Sequence, residues 1–73
     1  MKRHLVKDSR MIHSMGWEDG VMEVEYKTGL IHRYHDVTED QFIRAGTGNT
    51  DKKVRLIGKS HSFTRVESEE GPV

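Results

Sequence analysis

Apolar and polar side chains alternate most regularly in the segment 21–26. Met22, Val24 and Tyr26 occupy every second position, and Glu23 and Glu25 fill the positions between them. Because successive side chains of a β-strand point to opposite faces, this alternation predicts a strand with one apolar and one acidic face. We expect both glutamates to be solvated carboxylates on the outward face.

Two glycine-containing turns flank this strand and predict a meander. Glycine supplies the positive backbone φ angle of hairpin turns, which suits the segments 18–20 and 27–29. The preceding strand is predicted over residues 11–17, with a bulge near residues 14–16, where the alternation breaks at a glycine. The following strand is predicted over residues 30–35. Such a sheet, with one apolar face, needs a cover from elsewhere in the chain.

A capping signal predicts a short helix over residues 38–46. Thr38 is the expected N-cap, and Gln41 three residues later completes a capping box. Glu39 and Asp40 place negative charge at the positive end of the helix dipole. Gly46 suits the left-handed position that ends many helices.

The segment 52–58 has two interpretations. Its apolar residues Val54, Leu56 and Ile57 favour a second helix with Asp51 as its cap, whereas its β-branched residues also fit a strand. We favour the helix, followed by an extended segment that returns to the sheet. The predicted fold class is α+β, a three-stranded antiparallel meander with one or two short helices packed on one face.

Charge and hydrophobicity divide the chain into three parts. Residues 1–8 are predicted to be a basic N-terminal arm with a short ordered part near Val6, and residues 9–66 form the α+β domain. Residues 67–73 are predicted to be an acidic disordered tail. The basic start has no apolar run behind it, so we expect neither a secretory signal nor a membrane span.

Composition limits the core and the available chemistry. Only 33% of the 73 residues are hydrophobic and 33% are charged, so one small domain with a thin core is expected. The chain has no cysteine, which suits a cytoplasmic protein and removes disulfides and thiolates. Twelve basic and twelve acidic residues balance, which argues against a general nucleic-acid binder.

No arrangement of side chains in the sequence predicts catalysis. His32 and His35 are three residues apart in a predicted strand and so point to opposite faces. Ser60 and His61 are adjacent in sequence, where a nucleophile and its base rarely reach the required geometry. We therefore expect a non-enzymatic protein with no metal and no cofactor.

A set of core and turn residues recurs at a spacing known from one family. These residues are Ser9, Ile12, Met15, Gly16, Trp17, Glu18, Met22, Val24, Tyr26, Gly29, His32, Tyr34, Val37, Ile57, Phe63 and Val66. Their spacing resembles the KTSC domain, a short module named for the C-terminus of certain lysyl-tRNA synthetases. The resemblance covers residues 9–66, and the chain departs from the family pattern at Thr38, where proline is usual, and at 52–54, where Tyr-Phe-Asn is usual. It implies an α+β fold rather than an activity.

The chain is also similar in size and character to small phage proteins that bind host enzymes. The first hypothesis is therefore a monomeric phage-type protein that binds RNA polymerase in the cytoplasm of the host bacterium. It would modulate transcription, by inhibition or antitermination, without chemistry. Trp17 has two interpretations, a residue packed in the core, which we favour, and an exposed aromatic anchor at an interface. The predicted contact residues are Lys2, Arg3, Lys7, Arg10 and Trp17.

The alternative hypothesis is an RNA- or tRNA-binding accessory module of the translation machinery. It follows from the family's name and from the basic character of the later third of the chain. Binding of this kind weakens steeply with salt, because phosphate contacts release counterions. The residues predicted to face phosphates are Lys52, Lys53, Arg55, Lys59 and Arg65.

Overall fold

The computed structural model describes residues 2–7 and 9–66, which form five strands and two helices. The predicted α+β class is confirmed, and the predicted three-stranded meander lies within a five-stranded antiparallel sheet. The elements are β1 (His4–Leu5), β2 (Ile12–Glu18), β3 (Val21–Tyr26), β4 (Ile31–Tyr34), α1 (Glu39–Ala45), α2 (Thr50–Ser60) and β5 (Phe63–Val66).

Strand order follows chain order from β1 to β5, and both helices lie between β4 and β5. β1 comes from the segment predicted to be a basic arm, and its pairing continues at Val6, whose N–H donates to the His13 carbonyl at 3.0 Å. β5 is the extended segment that the sequence predicts to return to the sheet, and it pairs with β4. The predicted acidic tail, residues 67–73, lies outside the described residues.

The two predicted hairpin turns are present. Asp19 and Gly20 both have positive φ angles, 50° and 83°, as a two-residue hairpin requires. Gly29 has φ 95°, and the Tyr26 N–H closes the second turn on the Leu30 carbonyl at 2.8 Å. The predicted bulge is present in β2, at the near end of the predicted region: the register shifts between Ile12 and Ser14, and the pairing is regular from Ser14 onward.

The capping box of α1 is confirmed, and the predicted left-handed end is wrong. Gln41 N–H donates to Thr38 Oγ1 at 3.1 Å, and Thr38 N–H donates to Gln41 Oε1 at 2.9 Å. Gly46 has φ −82°, and its N–H still donates to carbonyls of the helix. Positive φ angles occur only later, at Gly48 and Asn49, with 106° and 46°. Thus the helix ends without a left-handed glycine at its C-cap.

The helical interpretation of residues 52–58 is confirmed by α2, but Asp51 does not cap it. Asn49 is the N-cap residue, without a side-chain hydrogen bond to the helix. The Asp51 carboxylate accepts hydrogen bonds from the Ser9 hydroxyl and from the Arg10 backbone N–H at 3.1 Å. A long-range contact has therefore displaced the local cap, and it ties the start of α2 to the segment before β2.

The core lies between one face of the sheet, here called the inner face, and the helices. Nine buried residues form it, five from the sheet and four from the segment 37–57. Val54 and Ile57 project from α2 onto the sheet, one turn apart on the same face of the helix. The core residues are Ile12, Met15, Met22, Val24, Tyr34, Val37, Ala45, Val54 and Ile57.

The opposite, outer face of the sheet carries a buried carboxylate. Glu23 is 1% exposed, so its prediction as a solvated carboxylate was wrong. It is ion-paired with Arg3 on one side and with Arg33 on the other, where Arg33 Nε lies 2.7 Å from Glu23 Oε2. Because a buried charge is tolerated only when it is paired, these two arginines explain the burial.

Gly16 is the residue that lets Arg3 reach Glu23. A Cβ atom at Gly16 would collide with the Lys2 carbonyl oxygen and lie 3.1 Å from Arg3 Cγ. We expect Gly16→Ala to displace residues 2–3 and leave Glu23 with one partner fewer. The free energy of unfolding should fall by about 2 kcal/mol or more, measured by chemical denaturation.

Gly46→Ala is the matched control for this substitution. Gly46 has a right-handed backbone, and the nearest atom to an added Cβ is the Ile43 carbonyl oxygen at 3.6 Å, an ordinary contact. Its free energy of unfolding should stay within about 1 kcal/mol of the wild-type value. Equal stability of the two variants would contradict the role given to Gly16.

Candidate binding groove

Helix α2 covers only part of the inner face. It approaches the sheet closely at Gly58, where an added Cβ would lie 3.2 Å from Tyr34 Cε1. Beyond this contact the inner face continues through the rings of β3, β4 and β5, and Phe63 at the start of β5 is 51% exposed. The uncovered part of the face is therefore aromatic rather than aliphatic.

Two adjoining hollows form one groove along these rings, here called the aromatic groove. Their volumes are about 310 and about 440 Å³, and they share Met11, Tyr26 and His32. The larger hollow extends over the β3–β4 turn, and the smaller one extends along α2. The lining residues are Arg10, Met11, Ile12, Tyr26, Lys27, Thr28, Leu30, His32, Tyr34, Asp51, Val54, Arg55, Gly58 and Phe63.

His32 lies at the centre of the ring cluster. Its ring centroid is 5.2 Å from that of Tyr26, 5.9 Å from that of Tyr34 and 4.7 Å from that of Phe63. The two tyrosine hydroxyls are 2.7 Å apart, and His32 Nδ1 lies 3.3 Å from the Tyr34 hydroxyl. Because their polar ends are paired, the rings are held in place with apolar faces toward the groove.

The surroundings shift the pKa of two rings of the groove, Tyr26 and His32, in the direction that favours their neutral forms. Burial, supported by the hydrogen bond to Tyr34, raises the pKa of Tyr26 well above its usual range. Burial also lowers the pKa of His32, and the Arg65 guanidinium, on the residue paired with His32 in β5, lowers it further. A neutral imidazole is a better surface for apolar and ring contacts than an imidazolium.

Cationic side chains border the groove. Arg10, Lys27 and Arg55 line it, and Arg65 is the cross-strand neighbour of His32. Lys27 is fixed there, since its Nζ donates to the Ser9 carbonyl at 2.8 Å. Among residues 2–7 and 9–66, no carboxylate lies within ion-pair distance of Arg55 or Arg65.

Asp51 is the acidic residue that lines the groove, and its charge is locally compensated. The hydrogen bond from Ser9 lowers the pKa of its carboxyl group, and the backbone N–H groups of Arg10 and Met11 and the Lys27 charge add to the effect. Burial of the carboxyl acts in the opposite direction. The Asp51 carboxylate thus fixes the positions of neighbouring residues at the edge of the groove, and the cationic side chains there still outnumber it.

A second concave surface, here called the interhelical hollow, lies on the other side of α2. Its volume is about 300 Å³, and Leu56 within it is 52% exposed. Lys53 joins the two helices there, because its Nζ donates to the Arg44 carbonyl at 3.0 Å. The lining residues are Gln41, Arg44, Ala45, Lys53, Leu56 and Ile57.

The structure does not bring the first set of predicted contact residues to one surface. Arg10 lines the aromatic groove, and Lys2 and Lys7 are exposed near β1. Arg3 is ion-paired with Glu23, and its side chain is only 14% exposed. Trp17 is half-buried against the core, and its Nε1–H donates to the Val37 carbonyl at 2.7 Å, so it packs as a core residue.

The second set of predicted residues, those expected to face phosphates, is also distributed over several surfaces. Arg55 and Arg65 lie at the aromatic groove. Lys53 lies in the interhelical hollow, whereas Lys52 and Lys59 are exposed on α2. The two arginines are thus the members of this set that share a site with the rings.

The histidines take separate roles. His32 faces the groove, whereas His35 Nε2 lies 2.8 Å from Thr64 Oγ1, and His61 Nδ1 lies 2.8 Å from the His35 carbonyl oxygen. No group of three or more histidine or carboxylate side chains suited to a metal occurs within the described part of the chain. In the same part, neither helix has the length and apolar character needed to cross a membrane.

Sequence reasoning assigned Arg10, Arg55 and Arg65 to binding surfaces. It did not predict the groove or the rings that line it, such as Tyr26, His32 and Phe63. His32 and Tyr34 are two residues apart in β4, so the alternation of a strand places them on one face. Phe63 carries a visible signal, because it is an isolated aromatic residue in a polar segment. Its register opposite Tyr34 is a long-range feature that the pattern alone does not contain.

Comparison with known proteins adds no relative: no protein-family model matches the chain, and no curated protein matches it.

The electrostatics of the groove predict the behaviour of His32 in a titration. Its pKa, followed by NMR of the imidazole C–H resonances, should lie below the ordinary histidine value. Arg65→Gln should raise that pKa, because it removes a nearby positive charge that disfavours the imidazolium. Lys53→Gln, which removes a charge in the interhelical hollow, should leave it unchanged. An unchanged pKa in Arg65→Gln would contradict the placement of Arg65 beside the groove.

Proposed function

We propose that this protein is a non-enzymatic binding module that docks on bacterial RNA polymerase and modulates transcription, by inhibition or antitermination. One observation carries the proposal: the interhelical hollow presents an exposed leucine within a concave apolar surface between two cationic residues. Leu56 is the leucine, and Arg44 and Lys53 are the cations.

An exposed apolar side chain is informative in this chain because apolar residues are scarce. Only 33% of the residues are hydrophobic, yet Leu56 and Ile43 leave more than half of their surface in water on the helical layer. Contiguous exposed apolar surface with a polar rim is typical of protein–protein interfaces, where a few buried anchors carry most of the binding energy. Leu56 is therefore the expected anchor.

The two cationic residues at the rim of the interhelical hollow favour a partner surface with negative charge. Arg44 forms a surface ion pair with Asp40, Nε to Oδ2 at 3.1 Å, and such a pair is weak enough to exchange partners. Lys53 is held in place by the Arg44 carbonyl. A partner surface with an apolar centre and acidic neighbours would complement this arrangement. The choice of RNA polymerase as the partner follows from the likeness in size and general character to small phage proteins that bind this host enzyme.

Docking of this kind needs no reaction centre. A small protein that occupies part of a large enzyme can alter its output by favouring one of its conformations, provided that it binds that conformation more tightly. The direction of the effect then depends on which conformation of polymerase presents the complementary surface. In this proposal the protein acts in the bacterial cytoplasm, where its partner is found.

Leu56→Glu tests the proposal directly. Binding of the full chain to purified bacterial RNA polymerase, measured by biolayer interferometry, should weaken at least about tenfold, as expected for loss of an interface anchor. Its effect on promoter-dependent and terminator-dependent transcription in vitro should be lost in parallel. Glutamate preserves helix propensity, so the fold should be retained.

Leu5→Glu is the matched control. Leu5 is 65% exposed on β1, at the opposite edge of the sheet from β5, and the change in side chain is the same. Its polymerase binding should equal that of the wild type. The proposal is wrong if the wild-type protein does not bind polymerase, or if the two variants lose binding equally.

A further inference from the structure

We infer that the aromatic groove is a second binding site, one that holds a single-stranded nucleic acid, with bases stacked on its rings and phosphates held by its cationic rim. This site is separate from the interhelical hollow and goes beyond the proposed docking on polymerase. The residues that define it are Arg10, Tyr26, Lys27, His32, Arg55, Phe63 and Arg65.

The shape of the groove suits an extended chain. The two hollows share three lining residues and together run from the β3–β4 turn along α2 to Phe63. A compact small molecule would need only one of them. Side chains from five elements, β2, β3, β4, α2 and β5, line this groove, which fits an extended chain laid across the inner face.

The rings provide the stacking surfaces. Phe63 is 51% exposed and lies against His32 with an interplanar angle of 32°, so the two rings form a step on which a base can continue the stack. Tyr34 is almost fully buried and supports them from below. Stacking on aromatic side chains is independent of sequence, because every base has a flat aromatic face.

The charges provide the contacts to the backbone. Arg10, Lys27 and Arg55 lie along the two hollows, and Arg65 lies beside the central ring. Guanidinium groups bind phosphate in a bidentate manner and also stack on bases. An acidic peptide would use the same cations but would have no need of the exposed ring faces, so the rings favour a nucleic acid.

The test is binding of the full chain to short fluorescent oligonucleotides by fluorescence anisotropy. We expect oligouridylate or oligothymidylate to bind, and its affinity to fall as salt is raised from about 50 to about 200 mM. Tighter binding of oligouridylate would identify RNA as the ligand, and tighter binding of oligothymidylate would identify DNA. Absence of binding to both at the lower salt concentration would overturn the inference.

Two variants separate stacking from charge. Phe63→Leu keeps an apolar side chain but removes the ring, and it should weaken binding roughly tenfold without changing the salt dependence. Arg55→Gln should weaken binding and reduce the slope of log affinity against log salt by about one. Lys53→Gln is the control, since it removes the same charge from the same helix on the side away from the groove.

A synthetic oligoglutamate is the competing ligand. If it binds as tightly as the oligonucleotides and its binding is insensitive to Phe63→Leu, the groove is a site for acidic peptides and the inference is wrong. Binding of all variants to RNA polymerase distinguishes the two proposals, because Phe63→Leu should leave that binding intact. Failure of one proposal therefore does not decide the other.

Discussion

Partial burial of the sheet's inner face by α2 is the constraint on which the rest of the structure depends. Val54 and Ile57 cover the aliphatic part of that face, and they are the hydrophobic contacts that a thin core needs most. The helix is too short to cover the rings as well, and it ends at Ser60 before the chain returns as β5. The same packing that stabilises the domain therefore leaves Phe63 and its neighbours at the surface. The stability of the domain and the uncovered aromatic groove thus follow from one arrangement.

The balanced net charge of the chain hides a strong separation of charge. On the outer face, Glu23 forms ion pairs with both Arg3 and Arg33, so these three charges are paired within the sheet. On the inner face, Asp51 is compensated by its hydrogen bonds to Ser9 and to the Arg10 N–H, and the cations around the groove outnumber it. Overall neutrality thus says little about the local field that a ligand would meet.

The elements that sequence reasoning predicted correctly are those with local causes. The two turns depend on residues such as Gly20 and Gly29, and the capping box depends on Thr38 and Gln41, all within a few residues of their partners. The predicted meander and the helix over residues 52–58 follow from side-chain periodicity, which is also local.

The features that were missed depend on contacts between distant parts of the chain. Burial of Glu23 requires Arg3, twenty positions away, and a glycine at position 16 that lets the chains approach. Asp51 has the right type and position for a cap, yet Ser9 offers it a better partner from forty-two positions away. The groove has the same origin, since its rings come from three strands and its cations from the segment before β2, a turn, a helix and β5.

Helix α2 separates two surfaces of different character, and this follows from helical geometry. Arg55 and Leu56 are consecutive, so their side chains differ by about 100° around the helix axis. The first faces the aromatic groove and the second the interhelical hollow, with Ile57 and Val54 holding the helix to the sheet between them. A protein docked on the hollow would leave the groove open. If both proposals hold, this arrangement would let one small domain contact the enzyme and a single-stranded nucleic acid at the same time.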